Sequence, residues 1–282
     1  MAVLVLKVFV ILQMVYPCLT VLPDPVAFWP LDTEDLLMDT SGNENHGVAG
    51  DGMVFEAVAE GTLYGAMRFT GDTDSFIEFP NNGAYDTIYS ITMLAYIYPL
   101  GRDGPIFHYN LDNWGVYLNG GSQELSLMIT KRDSLEFTET LSQGDIERDK
   151  WHFVGATYNQ NTGTAKLWAM DQVLRSSYIG SVQLATNYAA RMGARTVDSS
   201  ETRARVSCMQ IYDRELLPSE ILEAESKCKI VKEATTHIVP DTTHPTTVGP
   251  DTTNPTTAGL DTTNPTTGQG EFVFRLLNFT RF

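Results

Sequence analysis

Between residues 75 and 213 the apolar and polar positions alternate in short bursts and do not form helical stripes. SFIEFP (75–80), GPIFHY (104–109), WGVYL (114–118), ELSLMI (124–129), WHFVGATY (151–158), TAKLWAM (164–170) and RVSCMQIYD (205–213) are each alternating or aromatic. A period of two in aromatic and β-branched runs predicts strands. In ELSLMI, Leu125, Leu127 and Ile129 share one face. SITMLAYIY (90–98) is apolar at both parities, which predicts a strand buried on both sides. NNGAYD, PLGRDGP, YLNGG and NQNTG separate the runs, and NQNTG between two alternating segments predicts a hairpin. One helix is predicted, LLPSEILEAESKC (216–228). Pro218 suits its first turn, Glu220 brings negative charge near its N-terminus, and Ile221, Leu222 and Ala224 offer a packing side. Evenly spaced short strands with turn signals predict an all-β, two-sheet antiparallel sandwich with one short C-terminal helix.

The two ends differ in texture from this middle. Residues 1–20 hold an apolar run of roughly 15 residues interrupted by Lys7, then Cys18 and Thr20, which reads as a secretory signal peptide cut near Thr20. The competing reading, an uncleaved membrane anchor, needs about 20 apolar residues. No later segment is apolar enough to span; FVFRLL near the C-terminus is short and carries Arg275. Residues 21–230 are read as the folded domain and 231–282 as a disordered Thr/Pro-rich tail. Within that tail, 241–250 (DTTHPTTVGP), 251–260 (DTTNPTTAGL) and 261–270 (DTTNPTTGQG) repeat with a period of ten. Such a segment has too little apolar surface to offset the entropy of folding, and proline stiffens it. Thr on both sides of Pro suits a mucin-like O-glycosylated stalk, the bare alternative being a flexible linker. Asn278-Phe279-Thr280 is the N-glycosylation sequon, while Asn254 and Asn264 are blocked by the proline that follows each. No apolar tail suited to a GPI anchor is present.

Charge narrows the partners. The chain carries 19 basic and 35 acidic residues, a net charge of −16. A nucleic acid or an anionic membrane surface would repel it, whereas a calcium-rich extracellular setting suits it. Of the three cysteines, Cys18 leaves with the signal, so Cys208 and Cys228 are expected to pair in an oxidising compartment. Closing that loop is worth roughly 3 kcal/mol.

The order of motifs resembles the laminin-G-like, concanavalin-A-like jelly roll, in the broad secreted branch related to pentraxins. The segments that carry the resemblance are VAFWPLD (26–32), DTSGNENHG (39–47), AMRFTGDTDSFIEFP (66–80), ITMLAYIYP (91–99), KWHFVGATYNQNTGTAKLWAMDQVL (150–174) and ARVSCMQIYDRELLPSEILEA (204–224). The resemblance implies a binding protein for glycans, matrix proteins or lipids, often with Ca²⁺ at a sandwich edge. Two departures stand out. Met170-Asp171-Gln172 replaces the usual Asp-Gly hairpin, and the pentraxin signature His-x-Cys-x-(Ser/Thr)-Trp is missing.

Candidate chemistry centres on Asp39–Gly47. Calcium takes six to eight oxygens at about 2.3–2.6 Å. Asp39, Ser41, Asn43 and Asn45 are the candidate ligands here. Asp198 in TVDSSET would be the distant acid, with Asp72 and Asp74 of GDTDS behind it. Such an ion is read as structural more than functional. The competing reading is an Asx-rich turn with solvated side chains. His46 has no second His or Cys at ligand spacing and is read as a turn residue. A jelly-roll glycosidase needs two carboxylates on one face of a strand. Glu-x-Asp-x-x-Glu does not occur, and Glu136 and Glu139 have the wrong parity, so no enzyme is expected. Trp114 and Tyr188 lie in loop-like contexts and are candidates for stacking on a sugar, whereas Trp29, Trp151 and Trp168 sit in strand-like runs and are read as core.

These readings converge on a secreted, non-catalytic binding or adhesion protein. It would recognise a glycan or an extracellular-matrix ligand with possible calcium assistance, displayed on a Thr/Pro stalk. The alternative is an acidic structural component of a secreted matrix or mineralised skeleton.

Overall fold

A computed structural model describes residues 21–56, 65–109, 116–196 and 200–228. All belong to the first of two units, Met1–Glu233. The signal segment, the repeat tail, Asn278, Trp114 and Asp198 lie outside the described residues.

The first half of the domain supplies β1 (Ala27–Trp29), β2 (Val48–Ala49), β3 (Val54–Glu56), β4 (Ala66–Thr70), β5 (Ile77–Phe79), β6 (Ser90–Arg102) and β7 (Gly104–Tyr109). Next come β8 (Tyr117–Gly120), β9 (Leu125–Met128), β10 (Leu141–Gln143), β11 (His152–Asn159) and β12 (Thr164–Ala169). The domain ends with β13 (Gln172–Tyr178), β14 (Ala190–Met192), β15 (Arg203–Tyr212) and the helix α1 (Pro218–Ser226). An eight-stranded sheet runs β13-β12-β11-β6-β15-β4-β3, with β1 also on β15. A seven-stranded sheet runs β10-β9-β8-β7-β14-β5-β2. All the strand pairs are antiparallel, and neighbours far apart in sequence lie side by side, as in a jelly roll.

The local pattern explains most elements. NQNTG closes the β11–β12 hairpin, with Asn159 opposite Thr164. SITMLAYIY becomes β6, held between β11 and β15 and buried along most of its length. Strand β15 bulges between Ser207 and Gln210, and Cys208 there has φ +54°. One edge of β15 therefore pairs first with β4 and then with β1.

The core between the sheets is aromatic at its centre. Trp29 is fully buried, with its ring centroid 4.2 Å from Phe79, 5.8 Å from Tyr85 and 5.6 Å from Phe107. A second apolar cluster lies on the outward face of the eight-stranded sheet, where Ile221 and Ala224 of α1 pack on Leu94, Tyr96, Phe153 and Trp168. Leu222 differs from its expected role. It stands 41 % exposed, because it follows Ile221 by one residue and points off the packed side. Pro218 occupies the first turn as expected, and Glu220 accepts the Leu217 N–H at 2.8 Å and pairs with Arg214 at 2.7 Å. Trp29 and Trp168 are core residues, while Trp151 is half-buried against the second cluster.

Candidate functional site

The Asp39 corner is built from hydrogen bonds. Oδ1 of Asp39 accepts the Phe28 and Ser41 N–H groups, each at 3.0 Å, and Oδ2 accepts the Asn45 N–H at 3.0 Å and its side-chain amide at 3.4 Å. Burial opposes ionisation of this carboxyl, but the bonds from Phe28, Ser41 and Asn45 outweigh it and hold its pKa below the ordinary carboxylate value. The amide of Asn43 donates to the Val26 carbonyl at 3.0 Å, and the Asn45 carbonyl takes the Trp29 indole N–H at 2.8 Å. Ser41 Oγ accepts the Asn43 N–H at 3.3 Å. His46 accepts the Asp39 N–H on Nδ1 at 3.0 Å, which leaves its proton on Nε2. The loop thus pins β1 to the core, and a cation on Asp39 would have to share oxygens that already face N–H donors. Among the described residues no group of three or more His, Cys, Asp or Glu is arranged to hold a metal.

Cys208 and Cys228 form the expected disulfide, with Cα atoms 5.8 Å apart. The bond ties the end of α1 to the bulge of β15. Gln210 donates to the Ala224 carbonyl at 3.1 Å beside it and accepts from the Tyr212 hydroxyl at 2.6 Å. Tyr188 is half-buried in the loop before β14, and its carbonyl accepts from the Asn81 amide at 3.1 Å.

The two sheets differ in what covers them. Helix α1 caps the eight-stranded sheet, whereas no described helix lies on the outward face of the seven-stranded sheet. On that face one cross-strand row runs Val48, Glu78, Arg191, His108, Tyr117, Met128. A second, shorter row runs Asn119, Ser126, Ser142 across β8, β9 and β10. Inward neighbours such as Phe79, Phe107, Leu118, Leu127 and Met192 fill the core, so the alternation of each strand sends these polar and aromatic groups outward.

This face is polar, aromatic and partly sunken. Arg191 lies over the Phe76 ring at 4.1 Å and pairs with Glu78 at 2.7 Å. Arg195, in the loop after β14, lies over Tyr117 at 4.7 Å. His108 is fully buried, edge-on to Tyr117 at 5.5 Å, and among the described residues neither ring nitrogen has a hydrogen-bond partner. Burial, and then the Arg195 charge, push its pKa down to about 3, so it is a neutral imidazole. Asn119 Oδ1 is likewise buried without a donor. Each such atom costs about 1–3 kcal/mol relative to a satisfied one. The described residues therefore leave hydrogen-bonding capacity unused here. Alternation along β7 puts His108 outward, between the inward Phe107 and Tyr109. Nothing local in the sequence marked it as buried or unpaired, because its cover comes from β8 and the 195 loop.

Two antiparallel sheets packed as a jelly roll are the fold of a lectin-like binding domain. The chain belongs to the family described as the Concanavalin A-like lectin/glucanases superfamily, which it matches over residues 71–222. No curated protein matches it. Among solved structures it is similar to the binding domain of botulinum neurotoxin serotype G, at 12 % identity and a TM-score of 0.59, covering 71 % of this chain and 50 % of that one. It is similar to the binding domain of Paraclostridial Mosquitocidal Protein 1, at 16 % identity and a TM-score of 0.57, covering 72 % and 52 %. A third similar structure is the ligand-binding domain of botulinum neurotoxin serotype D in complex with N-acetylneuraminic acid, at 16 % identity and a TM-score of 0.55, covering 72 % and 51 %. The chain spans about half the length of these binding domains. At these identities the likeness is one of fold.

Proposed function

We propose that this protein is a secreted, non-catalytic glycan-binding protein that takes its ligand on the outward face of the seven-stranded sheet. The observation that carries the reading is the half-buried outward polar rows of Glu78, Arg191, Asn119, Ser126 and Ser142, on a sheet face that no described helix covers. A sugar offers hydroxyl groups that both donate and accept, and the half-buried aromatic and arginine surfaces around them suit its apolar faces. The binding domain with bound N-acetylneuraminic acid supports a carbohydrate as the partner class. Catalysis is disfavoured on the same face. Glu78 is the single carboxylate among the outward residues of the described strands of this sheet, and it is tied to Arg191, whereas glycoside hydrolysis uses two.

The test is a glycan array probed with the full secreted chain, beside Asn119→Ala and Arg191→Ala. Loss of array signal in both variants, with unfolding midpoints retained, supports the assignment. Unchanged signal refutes it. Calcium at the Asp39 corner is a separate proposal, tested by the unfolding midpoint in excess Ca²⁺ and after EDTA, with Asp39→Ala as the control. The excess of 35 acidic over 19 basic residues favours a second reading, an acidic component of a secreted matrix. That reading predicts calcium-driven association or mineral adsorption with no selective glycan signal.

A further inference from the structure

The rim of the sandwich that carries the β11–β12 hairpin holds a second polar cleft, distinct from the open sheet face. Lys131, Asp133, Gln160, Ser181, Val182 and Gln183 line about 500 Å³. Three segments meet there: the chain after β9, the hairpin, and the chain after β13.

The frame of this cleft is heavily bonded. Arg132 makes a two-pronged pair with Asp86 at 2.7 and 2.8 Å, and the Thr186 hydroxyl donates to the same carboxylate at 2.9 Å. The Arg132 N–H reaches the Gln183 carbonyl at 2.8 Å. Tyr158 clamps the opposite wall: its hydroxyl donates to the Gly180 carbonyl at 2.9 Å and accepts the Val182 N–H at 2.8 Å. The Gln160 N–H donates to the Tyr89 carbonyl at 3.1 Å. By contrast, the side chains of Asp133, Gln160, Ser181 and Gln183 make no hydrogen bond among the described residues. A fixed backbone with unspent side-chain groups is how a binding site limits the entropy lost on association.

Two tyrosines border the same hairpin. Tyr89 is 57 % and Tyr178 75 % exposed, far more than their ring size would favour. Tyr178 lies against Gly163, where a Cβ would meet its ring at 2.6 Å, three residues beyond Gln160. The ammonium of Lys131 is held by Glu136 at 3.1 Å, so the lining offers the Asp133 carboxylate, two amides and one hydroxyl, with Val182 as its sole apolar residue.

We infer that this rim cleft is a second ligand site, and that it takes a neutral oligosaccharide. The amides and the hydroxyl match donors to acceptors on sugar hydroxyls, and the exposed rings of Tyr89 and Tyr178, beside the hairpin and outside the cleft lining, offer stacking surfaces for sugar units that extend beyond it. A polyanion would meet Asp133 without a surplus of positive charge, and a lipid would find almost no apolar wall. The site stands whether or not the open sheet face binds.

The experiment uses the full secreted chain and titrates it with the neutral hexaoses of glucose, mannose and xylose, with sialyllactose and a heparin hexasaccharide as anionic comparators. Binding is read by isothermal calorimetry and by the shifts of glutamine side-chain amide signals. Wild type is expected to bind at least one neutral hexaose and neither anion more tightly. Gln160→Ala/Gln183→Ala and Tyr178→Ala should each weaken that binding at least tenfold, while Asn119→Ala on the sheet face leaves it within twofold. Because all three rim positions lie at the surface, unchanged unfolding midpoints verify that the variants fold. No neutral hexaose bound, tighter binding of an anion, or rim variants equal to wild type would each overturn the inference. Weakening by Asn119→Ala alone would move the binding to the sheet face and overturn it equally.

Discussion

His108→Phe separates a stability effect from a functional one. In the folded protein this imidazole is fully buried and neutral, and among the described residues neither nitrogen has a partner. Its ordinary pKa of 6.5 falls to about 3 on folding. Between those values the unfolded chain holds the extra proton, so stability falls as pH drops below 6.5. The slope is about 1.4 kcal/mol per pH unit, which amounts to about 2 kcal/mol by pH 5. Phenylalanine keeps a planar ring, is somewhat larger and has no polar atom, so overpacking offsets part of the gain. Replacing a buried, unsatisfied group by an apolar one of the same shape is neutral or stabilising, by up to about 1–3 kcal/mol. Urea unfolding at pH 5, 6, 7 and 8 reads both effects. The variant should be at least as stable as wild type at pH 7, and its loss between pH 7 and pH 5 should be smaller by about 2 kcal/mol. A variant clearly less stable at pH 7, with an acid limb parallel to wild type, would show that His108 has partners in solution and would sink the argument. If the sheet face binds sugar, the same variant should also lose glycan signal, trading function for stability.

Asp39→Ala removes the acceptors of four N–H bonds at a buried corner and should cost about 3 kcal/mol, lowering the thermal midpoint by roughly 6–12 °C. Because folding holds this carboxyl below its ordinary value of 3.8, its contribution is full above that pH and fades as the pH falls further, which acid titration of unfolding will show. Cys208→Ser/Cys228→Ser opens a loop with a sequence separation of 20 and should lower stability by about 2–4 kcal/mol in urea titrations, with α1 the first element to lose amide protection. Gly155→Ala places a Cβ against the Leu94 side chain and 2.5 Å from the Met93 carbonyl oxygen in the middle of the sheet; a loss of about 1–3 kcal/mol is expected by calorimetry.

Where the cause is local, the order of residues is enough to dictate the outcome. Alternation in ELSLMI places Leu125, Leu127 and Ile129 in the core, and all three are buried. Apolar residues at both parities of SITMLAYIY produce a strand that faces the core on one side and α1 on the other. Pro218 and Glu220 start the helix, and Cys208 pairs with Cys228. Short range physics suffices there, because side-chain period, turn chemistry and loop closure act over a few residues. Tertiary structure alone decided what the polar groups do. Asp39 was legible as an oxygen-rich loop residue, but its N–H donors come partly from Phe28, 11 positions away. Arg132 and Asp86 meet across 46 positions, and the rim cleft they brace draws on three separate segments. His108 owes its burial to Tyr117 on the next strand and Arg195 on a distant loop. Hydrogen bonding and desolvation depend on which groups the strand order brings within a few ångströms, and that order is set by the packing of two whole sheets.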